Sequence, residues 1–67
     1  MDRSLEGKRC RTVRPIMHYV GAIPREATGM VRYAIENLGR RLVRIDLDSG
    51  RSLILLADDI VLEAESN

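Results

Sequence analysis

Residues 28–56, Thr28-Gly29-Met30-Val31-Arg32-Tyr33-Ala34-Ile35-Glu36-Asn37-Leu38-Gly39-Arg40-Arg41-Leu42-Val43-Arg44-Ile45-Asp46-Leu47-Asp48-Ser49-Gly50-Arg51-Ser52-Leu53-Ile54-Leu55-Leu56, read as two consecutive β-hairpins. Val31, Tyr33 and Ile35 recur every second residue, the period that places side chains on one face of a strand. After Gly39 the alternation resumes: Val43, Ile45 and Leu47 take one face, Arg44 and Asp46 the other, as in a sheet wet on one side. A three-residue loop Asn37-Leu38-Gly39 sets Tyr33 opposite Val43 and Val31 opposite Ile45, whereas a two- or four-residue loop splits the apolar set between faces. The alternation therefore predicts the three-residue loop, with Gly39 as its left-handed residue. Asp48-Ser49-Gly50 repeats the turn chemistry and leads into Ser52-Leu53-Ile54-Leu55-Leu56. Four apolar residues in a row fit a strand covered on both faces or one curling over a barrel corner, and both readings stand.

Outside this stretch, residues 1–6 are polar and are expected to fray. Lys8 to Arg14 read as a first strand, with Cys10 and Thr12 inward and Arg9 and Arg11 outward, stopped by Pro15. Residues 15–27 have no sustained period but are rich in apolar side chains. A connection of that length is usually functional or carries structure of its own. Ile16, Met17, Tyr19, Val20 and Ile23 can plug a barrel mouth or form a contact surface. Pro24 and Gly29 mark the turn into the second strand. Ala57-Asp58-Asp59-Ile60 reads as one tight 3-10 turn capped by Asp58. Val61 to Glu65 read as a short last strand with Ile60 and Leu62 inward, and 66–67 as tail. The expectation is a single all-β domain over residues 7–65, a five-stranded small barrel with a long loop after strand 1 and one short 3-10 turn before the last strand.

The chain of 67 residues has room for one domain and too little for a deep enclosed active site. Its one cysteine, Cys10, excludes an intramolecular disulfide. Met1-Asp2-Arg3-Ser4 lacks the layout of a secretory signal, and no apolar run approaches a membrane helix, so a cytoplasmic location without membrane contact is expected. Residues 1–44 carry ten Lys/Arg against four Asp/Glu, and 45–67 carry one against six, for a net charge of +1. Pairing of the first and last strands would place Arg9 and Arg11 near Glu63 and Glu65, turning the asymmetry into cross-strand ion pairs. The competing reading is a basic face with a partner.

The frame Gly7-Lys8-Arg9-Cys10-Arg11-Thr12-Val13, then Ile23-Pro24-Arg25-Glu26-Ala27-Thr28-Gly29-Met30-Val31, then Val43 to Arg51, then Ala57-Asp58-Asp59-Ile60-Val61-Leu62 resembles the Src-homology-3-like small barrels. It is similar to bacterial proteins of unknown function built on that plan. More distantly it resembles the small ferredoxin-docking subunits of photosynthetic electron-transport complexes. The resemblance spans residues 7–65, rests mostly on turn residues, and implies a protein-binding accessory module with no cofactor of its own. With two tyrosines and no tryptophan or phenylalanine, the chain lacks the aromatic groove of the proline-rich-peptide binders.

Chemistry finds few candidates. One histidine, His18, and one cysteine cannot make a four-ligand zinc site. A Cys10–His18 dyad asks catalysis of a cysteine expected to be buried and inert. Asp46 with Asp48, or Asp58 with Asp59, could meet a divalent ion, but solvated strand residues and a helix cap are the plainer readings. The five glycines are isolated, so no phosphate-cradling loop exists. A non-enzymatic role follows, as a module docking a larger cytoplasmic protein through Met17, His18, Tyr19 and Ile23 of the long loop and through Arg32 and Arg44 of the first hairpin. The alternative is RNA binding by Arg14, Arg32, Arg40, Arg41 and Arg44, against which stand the small net charge and the scarcity of stacking aromatics. A monomer, or a weak homodimer through exposed strand edges, is expected.

Overall fold

The structure is a computed structural model that describes residues 1–19 and 21–63. It is all-β. Seven strands form among the described residues: β1 (Arg9–Thr12), β2 (Ile16–His18), β3 (Gly21–Ile23), β4 (Thr28–Asn37), β5 (Arg40–Leu47), β6 (Ser52–Leu56) and β7 (Ile60–Leu62). Five of them make one antiparallel sheet in the order β6-β5-β4-β1-β7, and β2 and β3 pair as a separate two-stranded hairpin. The first strand thus lies beside the last, as expected, with Cys10 opposite Leu62 and Thr12 opposite Ile60. No closed barrel forms among the described residues, because β6 and β7 are the two ends of the sheet and do not pair with each other. No helix in the described residues is long and apolar enough to cross a membrane.

The core is aliphatic. Cys10, Ile23, Val31, Ala34, Val43, Ile45, Leu47, Leu53 and Leu55 are buried together, with Leu5, Ile16, Ala27, Ala57 and Ile60 packed partly against them. β5 contributes Val43, Ile45 and Leu47, the alternate residues read from its sequence. β1 contributes Cys10 and places Thr12 inward as expected.

β4 departs from the simple alternation. Asn37 pairs with Arg40, so the turn has two residues, Leu38 and Gly39, rather than three. Both lie at positive φ, 52° and 77°, the type I′ geometry whose twist matches that of the flanking strands. A bulge then restores the register. Val31 still faces Ile45, as the alternation requires, but Arg32 is inserted and Tyr33 comes opposite Arg44, Ala34 opposite Val43 and Ile35 opposite Leu42. The extra residue exchanges the two faces of the strand. Val31 and Ala34 therefore point into the core, whereas Tyr33 and Ile35 are only half-buried on the other face. Leu38 is 96% exposed and carries a side chain at a left-handed position. Leu38→Asn is expected to stabilise the domain by about 0.5–1 kcal/mol, because asparagine tolerates that conformation and no packing is lost. An unchanged or lower urea midpoint would contradict this account of the turn.

The four-residue apolar run resolves into strict alternation, with Leu53 and Leu55 in the core and Ile54 and Leu56 outside. The long connection contains the β2–β3 hairpin, pinned by Ile16 and Ile23. The 3-10 turn spans Ala57–Asp59 as expected, but no side chain caps it: Asp58 lends its main-chain carbonyl to Arg14, and Asp59 pairs with the same guanidinium. β7 ends at Leu62, which is 40% exposed rather than inward. Residues 1–6 are held rather than frayed. Asp2 exchanges two backbone bonds of 2.7 Å with Ala34, and Leu5 packs on the core. The expectations for Val20, for Ala64 and Glu65 at the end of the last strand, and for the tail 66–67 lie outside the described residues.

Candidate protein-docking surface

With β4 inverted at Arg32 and β6 alternating, the face of the sheet turned away from the core takes a definite composition. Cross-strand register sets Ile35, Leu42 and Leu56 in one row across β4, β5 and β6, and Tyr33, Arg44 and Ile54 in the next. A third row holds Met30, Asp46 and Ser52. Ile54 is 41% exposed, Leu56 38% and Met30 37%. Arg44 thus stands inside an aliphatic and aromatic field, and no carboxylate pairs with it among the described residues. The polar residues of the third row are internally satisfied. Asp46 accepts from the Ser52 hydroxyl at 2.7 Å and faces the Arg32 guanidinium at 3.5 Å. Arg32, expected to be a contact residue, is therefore engaged within its own sheet.

The β2–β3 hairpin supplies a second apolar projection. Met17 is 86% exposed and Tyr19 93%, and the Tyr19 ring leans on the His18 imidazole with centroids 4.5 Å apart. Ile23 is not part of that surface: at 1% exposed it anchors the hairpin to the core. Between the hairpin and the β5–β6 turn runs an open groove of about 450 Å³, bordered by Ala22, Pro24, Glu26, Thr28, Asp48 and Arg51. Arg51 spans it, its guanidinium lying against Gly21 and donating to the Ala22 carbonyl at 3.4 Å.

The arginines expected to offer phosphate contacts are largely neutralised. Arg14 lies 3.5 Å from Asp59, Arg32 3.5 Å from Asp46 and Arg41 2.9 Å from Asp2. Only Arg40 and Arg44 of that set have no ion pair among the described residues. Glu63 does lie beside Arg9, as expected, and Glu65 falls outside the described residues, but the guanidinium contacts of β1 go elsewhere. Arg9 reaches Asp48 with both guanidinium nitrogens and Arg11 reaches Glu26 at 3.5 Å, whereas Glu63 approaches β1 through a backbone bond to Arg9. The first-to-last strand ladder was legible, but β1 also borders β4, and its outward arginines turn to carboxylates carried on that side and in the turns.

Asp48 collects the strongest of these contacts. The Arg9 fork and the Thr28 hydroxyl, at 2.7 Å, both hold its ionised form, and its pKa is lowered to about 2. A carboxyl whose folded pKa lies below its unfolded value of 3.8 contributes stability above pH 4 and loses it as pH falls towards 2. Wild type and Asp48→Asn are accordingly expected to differ in melting temperature at pH 6 and to converge between about pH 4 and pH 2. Parallel pH profiles would show that the Arg9–Asp48–Thr28 cluster does not couple to folding.

Cys10 is buried at 1% exposure, and burial pushes its thiol pKa up, which makes it a poor nucleophile. His18 sits in the β2–β3 hairpin outside the core cluster that holds Cys10. Asp46 and Asp48 are taken up by the partners just named, and no group of three or more His, Cys, Asp or Glu side chains among the described residues is placed to hold a metal ion. Ile54, Leu56, Tyr33, Ile35 and Leu42 are the surface residues that reading the sequence missed. The unbroken run Leu53 to Leu56 was their signal, since a one-sided strand needs only alternate apolar residues.

No family model, curated protein or solved structure matches this chain.

Proposed function

We propose that this chain is a non-enzymatic protein-interaction module of the Src-homology-3-like small-barrel kind, which docks a larger protein on the outer face of β4, β5 and β6. The barrel-like reading is supported by the strand order, with the last strand beside the first, by the long β1–β4 connection, and by the 3-10 turn before β7. The docking reading is carried by one observation. Tyr33, Ile35, Leu42, Ile54 and Leu56 form a contiguous apolar field on the non-core face, around an Arg44 with no ion-pair partner among the described residues. Aliphatic and aromatic area provides affinity, and a lone guanidinium selects a partner that brings a carboxylate to meet it. The exposed Met17 and Tyr19 of the hairpin extend the contact.

RNA binding is the weaker reading, because Arg14, Arg32 and Arg41 already face carboxylates and the outer face is apolar around Arg44. Affinity capture from native lysate with wild type and an Arg44→Glu variant tests the proposal. The expected result is a partner held by the wild type and lost from the variant. Identical captured sets, or none in either, would overturn it. A low-salt mobility shift of RNA that disappears steeply with added salt would favour the nucleic-acid reading instead.

A further inference from the structure

β6 is an end of the five-stranded sheet, and among the described residues its backbone is paired on the β5 side only. The Leu47 amide donates to the Arg51 carbonyl at 2.7 Å, so antiparallel alternation turns the backbone groups of Leu53 and Leu55 towards β5 and those of Ser52, Ile54 and Leu56 outward. Natural sheet edges are usually blunted by charge, proline or a bulge. Ser52-Leu53-Ile54-Leu55-Leu56 has none of these.

We propose that this edge pairs with the β6 edge of a second copy of the same chain, antiparallel, about a two-fold axis at Ile54. This rests on the backbone edge, independently of a partner on the outer face. In that register Ile54 meets Ile54 of the second copy and Ser52 meets Leu56, and each of these outward amides and carbonyls finds its counterpart. Such a self-complementary patch is what an isologous dimer requires. The axis brings the exposed Ile54 and Leu56 side chains of the two copies together, covering part of the apolar field. No charged residue lies within the strand to oppose its own copy. At the next step the register sets Arg51 opposite Ala57 of the second copy, next to Asp58. Neither Arg51 nor Asp58 has an ion pair among the described residues. The axis repeats this match of charge at both ends of the paired strands, which selects this register and a second copy over an unrelated strand.

Sedimentation velocity from micromolar to millimolar protein tests it. Wild type should rise from 7.6 kDa towards twice that mass. Ile54→Lys, which places two ammonium groups against each other at the axis, should remain at the monomer mass throughout. Arg51→Glu should weaken association by about fivefold, and adding Asp58→Arg should restore it. Amide exchange keeps the test independent of whether a variant folds: in wild type the Ile54 and Leu56 amides should gain protection as concentration rises, while those of Leu53 and Leu55 stay protected at every concentration. A monomer mass at all concentrations, a dimer that survives Ile54→Lys, protection of Ile54 that ignores concentration, or a dimer broken by Val61→Lys on the opposite edge would each overturn the proposal.

Discussion

Gly29→Ala is expected to leave little folded protein, because among the five glycines it is the one where an added β-carbon meets main chain most closely. Gly29 lies in β4 between two neighbours, opposite Cys10 of β1 and Leu47 of β5. A β-carbon built there would stand 2.5 Å from the Asp46 carbonyl oxygen and 3.0 Å from the Leu47 α-carbon. Both obstacles are main chain, so no side-chain rotation relieves them and two paired strands must move apart. The movement would not stay local. Leu47 is a core residue, and the Asp48 amide donates to the Thr28 carbonyl at 2.9 Å, so a displaced β5 end disturbs the Arg9–Asp48–Thr28 cluster as well. Overpacking costs about 1–3 kcal/mol and at times more, against roughly 3–5 kcal/mol that a core of this size supplies. Gly39→Ala makes the contrast. Nothing lies within 4 Å of a β-carbon there, and its penalty comes from φ of +77° alone, about 1 kcal/mol. Urea midpoints for the two variants should rank Gly39→Ala well above Gly29→Ala. A Gly29→Ala protein within about 0.5 kcal/mol of wild type would mean that β4 and β5 do not approach as closely as described.

How far the sequence discloses this fold is clearest along β4 and β5. The pairing of Val31 with Ile45 follows from alternation on both strands, and it holds. The pairing of Tyr33 with Val43 does not, because two irregularities compensate: a turn one residue shorter than predicted and one extra residue at Arg32. Each leaves the distant register intact, so the apolar pattern near Val31 carries no trace of either. What the pattern does carry is Ala34, a small residue whose inward position only makes sense once Tyr33 is turned out. The composition of the outer face was hidden for the same reason. Arg44 was legible as an outward cation, but its apolar surroundings depend on which face Tyr33, Ile35, Ile54 and Leu56 take, and a bulge and a sheet edge decide that. Ion pairs were the least legible, since Arg9 finds Asp48, 39 positions along the chain, through the tertiary path of two strands.

Thr12→Val is expected to cost more than its near-identical shape suggests, and more than Thr12→Ser. Thr12 is fully buried in β1, where its hydroxyl donates to the Pro24 carbonyl at 2.8 Å and accepts from the Ala27 amide at 3.0 Å. Its main chain grips the same segment, accepting from Glu26 and donating to Ala27. One residue thus ties the end of the β2–β3 excursion to the sheet, and Glu26 sits within that tie at φ of +68°, a conformation held only by its surroundings. Valine keeps the volume but strands an amide and a carbonyl, at about 1–3 kcal/mol. Serine keeps both bonds and loses one buried methyl, worth about 1 kcal/mol. Packing alone predicts the reverse order, so the urea midpoints of the two variants separate a polar tie from a filled space. The loss should also be directional. With the hydroxyl gone, the Ala27 amide should exchange faster relative to those of Val43 and Ile45, because the segment bearing Pro24 to Ala27 is released before the sheet opens. The hairpin that bears Met17 and Tyr19 runs directly into that segment, so a partner that uses the hairpin should bind Thr12→Val more weakly than Thr12→Ser even where both are folded.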